Sequence, residues 1–341
     1  MRPFEFEHPE PDRGKKKIIP VFLPFAGCPE RCVYCAQNLS TGEKPAPLSN
    51  VFENVRRMLA KLPAAGEAAP ELAFYGGTFT ALPGGWPEKF TALAGEHKLR
   101  GAVSRVRCST RPDAVDIRKI LYLKDLGLDL IELGVQSFDA GVLAESGRGY
   151  GPEANREAIM AVREAGLALG IQLLPGLPGS SGEIFENDAR ETAAALPECA
   201  RLYPCLIIEG TELARMWRQG GYEPWTLEET VERLANAVLE LWQSDIRVIR
   251  VGLAPEASLE PSVLAGPVHS ALGQLVRSRA LFLHVKSKIF ELGRKPEYLE
   301  VPKRWTSDVR GHRGKMLSNY QAAGLLPEKI HYVDKSIFRL G

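Results

Sequence analysis

The stretch Ile18-Ile19-Pro20-Val21-Phe22-Leu23-Pro24-Phe25-Ala26-Gly27-Cys28-Pro29-Glu30-Arg31-Cys32-Val33-Tyr34-Cys35 decides how the rest of the chain is read. Ile18–Phe25 is apolar and reads as a first strand, with three cysteines in the loop that follows it. Three thiolates in one short loop can ligate a single compact centre, and soft sulfur donors suit an iron–sulfur cluster or zinc. The number of ligands matters. A cuboidal cluster held by three cysteines leaves one iron open to a small chelating molecule, whereas a structural zinc site is closed by a fourth ligand. His8 or His97 could supply that ligand, so zinc stands as the alternative.

Working outward, strand-like and helix-like segments alternate, which is the signature of βα units around a parallel sheet. Further strands are expected at Glu71–Tyr75, Val103–Ser109, Leu130–Val135, Leu167–Leu174 and Leu202–Ile208. Helices are expected at Asn50–Leu62, Trp86–Glu96, Val115–Leu126, Pro152–Glu164, Ile184–Leu196 and Leu227–Trp242. Six such units make an α/β fold of the partial (β/α)6 TIM-like barrel type. Ile246–Val251 then reads as a strand leaving the barrel. The resulting division is a charged leader at 1–17, containing Arg13, Lys15, Lys16 and Lys17, the barrel at 18–252, and a C-terminal basic extension at 253–341.

Composition narrows the class. The 341 residues are 45% hydrophobic and 25% charged, ordinary for a globular chain with a sizeable core. A net charge of +1 provides no global field toward DNA or an anionic membrane, so neither is an expected partner. Ile18–Gly27 is too short to span a bilayer, and Arg2 with an acidic leader is unlike a secretory signal, so a cytoplasmic protein is expected. Six cysteines are too few for a disulfide scaffold in so long a chain. Cys108, Cys199 and Cys205 lack metal-ligand spacing and read as buried thiols.

Each candidate motif falls where a strand hands over to a helix, the face on which parallel barrels place their active sites. Tyr75-Gly76-Gly77-Thr78-Phe79-Thr80 follows the second strand, and paired glycines let backbone approach a ligand closely. Cys-x3-Cys-x2-Cys after a first strand, with Tyr34 before the last cysteine, resembles the signature of the radical S-adenosylmethionine superfamily. The order of Ser109-Thr110-Arg111-Pro112-Asp113, Glu132-Leu133-Gly134-Val135-Gln136-Ser137, Arg148-Gly149-Tyr150, Leu174-Pro175-Gly176-Leu177-Pro178-Gly179, Leu202-Tyr203-Pro204 and Glu209-Gly210-Thr211-Glu212-Leu213 is similar to the radical domain of Elongator-type enzymes. Oxygen-independent coproporphyrinogen oxidases share part of it. The resemblance runs from about Ile18 to Val251. It departs at Ser109, where Elongator-type proteins carry an acid, and in the shorter spacing between the first two cysteines. Nothing after Val251 resembles their acetyltransferase domain.

The resemblance implies a 4Fe-4S cluster on Cys28, Cys32 and Cys35, and S-adenosyl-L-methionine as the second cofactor. It implies that Gly76, Gly77 and Thr78 meet the methionine amino group, that Tyr34 lies near the adenine, that Gln136 contacts the ribose and that Arg148 grips the carboxylate. An amide and a guanidinium suit those two last tasks. It further implies reductive cleavage to a 5′-deoxyadenosyl radical, an external one-electron donor, and tRNA as substrate. A small-molecule radical enzyme of the coproporphyrinogen oxidase type and a zinc-stabilised RNA-binding protein are the alternatives.

Between Arg277 and Gly341 stand fourteen Lys and Arg against six Asp and Glu. Interleaved Tyr298, Trp305, Tyr320 and Tyr332 fit a surface on which cations hold phosphate and rings stack bases.

Overall fold

A computed structural model describes residues 3–12, 14, 17–253 and 259–341. Arg2, Arg13, Lys15 and Lys16 of the charged leader lie outside the described residues. Thirteen strands are formed among those described: β1 (Phe4–Phe6), β2 (Ile18–Phe22), β3 (Glu71–Tyr75), β4 (Arg105–Thr110), β5 (Leu130–Gln136), β6 (Ala168–Leu173), β7 (Cys199–Leu202), β8 (Ile207–Ile208), β9 (Arg247–Val251), β10 (Val263–Ala265), β11 (Leu299–Pro302), β12 (Ile330–Val333) and β13 (Phe338–Leu340).

Seven of them pair in parallel in the order β2-β3-β4-β5-β6-β7-β9, curled into a partial barrel. Strands β3 to β6 are buried almost throughout, as parallel strands covered by crossover helices must be. Phe74 of β3 stacks on Phe79 and packs against Phe90 of the following helix, with ring centroids 4.8 and 5.3 Å apart. The crossover helices begin where the sequence supplies a start. Asp116, Asp139, Ser181, Thr211 and Thr226 each accept from a backbone N–H one turn into their helices. Pro152 opens the helix Pro152–Glu164, where its missing N–H costs nothing.

Two sequence readings change. Leu202–Ile208 is not one strand: β7 ends at Leu202, and after Pro204, which has no N–H for a ladder, Ile207–Ile208 pairs antiparallel with β10. Ile246–Val251 does not leave the barrel. Its strand β9 pairs in parallel with β7, from Cys199↔Arg247 to Leu202↔Val251, and closes the row as a seventh strand.

The C-terminal part forms a second sheet, ordered β1-β13-β11-β12, around its own apolar cluster. The N-terminal segment is built into it. Phe6 stacks on Phe338 at 5.2 Å, His8 lies flat on Trp305 at 3.7 Å, and Glu10 takes a bidentate ion pair from Arg277.

Candidate functional site

A cavity of about 640 Å³ opens at the C-terminal ends of the barrel strands. Every strand from β2 to β7 contributes residues from its own length or from just beyond its end, and β9 contributes Ile249 and Arg250. Cys28, Cys32, Tyr34, Cys35, Gly76, Gly77, Gln136 and Arg148 all line it.

The cysteine loop is held from several sides. Val33 N–H donates to Ser146 O and Leu213 N–H to Val33 O, tying the loop to two helix ends. Thr78 N–H donates to Ala26 O at 2.7 Å, so the glycine turn is pressed against the same loop. This approach excludes side chains. A Cβ on Gly77, at φ +53°, would lie 2.1 Å from Ala26 O, and one on Gly27, at φ +73°, 2.4 Å from Thr78 O. Gln37, which sequence reading passed over, accepts from both Phe25 N–H and Gly77 N–H through one oxygen. Thr78 itself is fully buried behind the loop. Its hydroxyl lies 3.3 Å from Cys28 Sγ and does not line the cavity.

Burial raises the Cys28 thiol against the lowering effect of the Thr78 hydrogen bond. Burial together with Cys32 and Cys28 pushes Cys35 up to about 12. Binding a soft metal centre there therefore displaces protons. Among the described residues no group of three His, Cys, Asp or Glu side chains, Cys28, Cys32 and Cys35 included, stands close enough together to hold a metal ion as it is. The fourth ligands considered for zinc are elsewhere: His8 is stacked on Trp305, and His97 faces Arg100 in the helix Trp86–Leu99.

At the mouth of the cavity Arg148 is 5% exposed and has no carboxylate partner among the described residues. Its guanidinium donates to Gly134 O at 2.6 Å and to the Tyr150 hydroxyl at 3.0 Å, and it lies 3.4 Å from both Cys32 Sγ and the Tyr34 hydroxyl. Arg111 stands beside it, paired with Asp113 and 4.0 Å from Cys32 Sγ. Sequence reading quoted Arg111 in a motif without assigning it. Gln136 ends β5 at φ +67°, an uncommon conformation for a residue with a side chain, and its buried Oε1 has no hydrogen-bond partner. That turn is fixed from behind: Asp188 accepts from Phe138 N–H at 2.6 Å and from the Ser137 hydroxyl at 3.1 Å.

The floor is different. Glu132, 1% exposed, accepts from Tyr75, Arg107, Gln172 and Arg201 at 2.6 to 3.0 Å. Burial would raise its carboxyl, but Arg201 and Arg107 outweigh that and hold it below the usual range. Gln172 also donates to Ser109 at 2.9 Å, so where related enzymes carry an acid the serine belongs to this network.

The pattern of the radical SAM superfamily matches residues 22–192, and that of its C-terminal domain matches residues 197–281. The chain belongs to the radical SAM superfamily. Membership implies S-adenosyl-L-methionine and a 4Fe-4S cluster as cofactors. Three thiols lining one cavity, an unmatched amide oxygen and a guanidinium with no carboxylate partner among the described residues have the donor chemistry such groups need. Among curated proteins, the chain is 28% identical to the tRNA uridine(34) acetyltransferase of Methanocaldococcus infernus, over 76% of this chain and 55% of that protein. It is 27% identical to human Elongator complex protein 3, over 75% and 53%. The chain thus spans about half the length of these relatives. Among solved structures it resembles the archaeal Methanocaldococcus infernus Elp3, with a TM-score of 0.57 at 24% identity over 82% of this chain and 64% of that one. It also resembles the coproporphyrinogen III oxidase of Escherichia coli, with a TM-score of 0.51 at 18% identity over 70% and 54%. At these identities the likeness concerns the fold.

Away from the cavity, Lys303, Arg304, Arg310, Arg313, Lys315 and Lys329 are exposed and have no carboxylate partner among the described residues. The rings between them are less available than the sequence suggested. Tyr320 is fully buried in the C-terminal core and Trp305 is covered by His8. No helix among the described residues is long and apolar enough to cross a membrane.

Proposed function

We propose that this chain is a tRNA-modifying radical SAM enzyme, with Cys28, Cys32 and Cys35 as the cluster ligands. The observation that carries the reading is convergence: the three thiols, the glycine turn, Gln136 and Arg148 line one cavity. When bound, the reduced cluster and S-adenosyl-L-methionine together supply reductive cleavage to methionine and a 5′-deoxyadenosyl radical. The chain's own residues do the rest. Arg148, next to Cys32, binds the cofactor carboxylate through paired N–H donors. Gln136 Oε1 accepts from a ribose hydroxyl, which satisfies an otherwise orphaned buried acceptor. Tyr34 lies beside the adenine, and Gly76 and Gly77 leave room for the methionine end. Thr78 acts from behind, orienting Cys28. Ile18, Pro20 and Phe22 give the cavity an apolar wall. An external one-electron donor is required.

tRNA as the substrate rests on the curated relatives and on the exposed unpaired cations of the C-terminal part. Because the match spans about half of each relative, acetyl transfer is not carried over. Phosphate is held by Lys303, Arg304, Arg310 and Arg313, with little help from Trp305 and Tyr320. Mass spectrometry of tRNA nucleosides from cells with and without the protein tests the substrate. A modified nucleoside lost on deletion is expected; unchanged tRNA would move the reading to a small-molecule radical enzyme. Filter binding of tRNA across a salt series should give a steep slope, flattened when the four cations are neutralised together.

A further inference from the structure

We infer that the cavity contains a second anion subsite, at Arg250 on β9, to which the substrate presents a phosphate or carboxylate. The inference rests on the proposed radical reading for what occupies the other end. Four guanidiniums line the cavity: Arg111, Arg148, Arg201 and Arg250. Asp113 neutralises Arg111 at 2.8 Å and Glu132 neutralises Arg201 at 2.6 Å. Arg148 and Arg250 have no carboxylate partner among the described residues. The first is claimed by the cofactor carboxylate, and the second is unassigned.

Arg250 is half-buried. Its Nε donates to Gly252 O at 3.1 Å, which leaves the guanidinium's other N–H groups uncommitted among the described residues. A guanidinium drawn out of bulk water gains most from an anion that takes two parallel hydrogen bonds, as phosphate and carboxylate both do. Tyr203 adds a neutral donor. Its oxygen accepts from Arg201 at 3.1 Å, its own hydroxyl hydrogen has no acceptor among the described residues, and it is near enough to feel the Arg250 charge.

The position suits a substrate. The cysteine loop follows β2 at one edge of the sheet, and Arg250 lies on β9 at the other edge, yet both line the same cavity. Ile18, Pro20 and Phe22 give the space between them an apolar wall. A ligand anchored at Arg250 therefore reaches toward the cysteine loop along an apolar wall.

The test uses anaerobically reconstituted holoenzyme with S-adenosyl-L-methionine, titrated by calorimetry with uridine 5′-monophosphate, uridine and glutarate. Wild type, R250Q and R250K are compared. At least one anion should bind wild type about tenfold or more tightly than R250Q, with R250K between them because it keeps the charge but loses the fork. Uridine should not distinguish the three. Preference for uridine 5′-monophosphate identifies a nucleotide phosphate as the source, and preference for glutarate a carboxylate. Equal affinities of both anions for wild type and R250Q, or no binding of either to wild type, would overturn the subsite. Failure of wild type to release 5′-deoxyadenosine under dithionite would instead overturn the radical reading on which it rests.

Discussion

At the floor of the cavity Arg107 and Arg201 share Glu132, whose two oxygens are saturated by four neighbouring side chains. At its mouth Arg148 faces Cys32 and two tyrosines, and among the described residues it has no carboxylate partner and the buried oxygen of Gln136 has no donor. Both regions are buried and polar, and both are built on guanidiniums. The floor is complete without any ligand, which is what a scaffold requires. The mouth is incomplete, and a buried polar group left without its partner costs about 1–3 kcal/mol until something supplies one. The contrast separates residues that hold the barrel together from residues placed to receive a molecule.

The sharpest way to break this comparison is at the thiols. Cys28→Ala, Cys32→Ala and Cys35→Ala should each abolish 5′-deoxyadenosine formation under dithionite, while Cys199→Ala leaves it. Chromatography of the reaction products decides this, and any of the three single variants that still makes 5′-deoxyadenosine would sink the site. The floor should respond in stability instead. Glu132→Ala strips Arg201 of its carboxylate and leaves Arg107 with Glu71 alone, and should cost about 3–5 kcal/mol in urea unfolding. Arg148→Lys keeps a charge but loses the fork. It should weaken S-adenosyl-L-methionine binding by about tenfold or more, measured by calorimetry, and change folding stability by less than about 1 kcal/mol. A large stability loss in that variant would place Arg148 with the floor.

Asp188 lies between the two cases, for it is buried with neutral donors and no cation at hydrogen-bond distance. Burial pushes its carboxyl up to about 7. The folded state therefore holds this proton more tightly than the unfolded chain, whose carboxyl titrates near 3.9. Its contribution to stability is fully present below that value and is lost as pH rises through about 7. Relative to Asp188→Asn, wild type should lose roughly 1–3 kcal/mol between pH 4 and pH 8, and parallel pH profiles would rule this out. The smallest effect is expected at Gln136. Gln136→Ala removes one neutral hydrogen bond and should raise the KM for S-adenosyl-L-methionine about three- to tenfold, with little change in unfolding.

How far the sequence reaches follows from the range of the interactions. The alternation of strands and helices is local, and most crossover helices start at a residue that caps its own first turn, so the barrel could be read with errors of a few residues. The errors lie where a local pattern has two continuations. Apolar Leu202–Ile208 looked continuous, but Pro204 separates β7 from β8, which pairs with the distant β10. Apolar Ile246–Val251 has the same local character whether it leaves the sheet or extends it.

The sequence by itself marked the cysteine loop and the glycine turn, because short spacing and strand-end placement carry that information, whereas Gln136 and Arg148 were singled out only through the family resemblance. Tertiary structure alone decided the partners. Gln37 reaches Gly77 across forty residues, Arg148 reaches Cys32, and the N-terminal strand β1 joins the C-terminal β13. The register of β5, β6 and β7 sets Glu132 level with Gly170 and Cys199, and Arg201, two residues further along β7 beside Gln172, reaches back to it. Trp305 and Tyr320 read as exposed rings in a basic segment until His8 and the C-terminal core cover them. Periodicity shows that a side chain turns inward, and only the assembled sheet determines which other side chains it meets there.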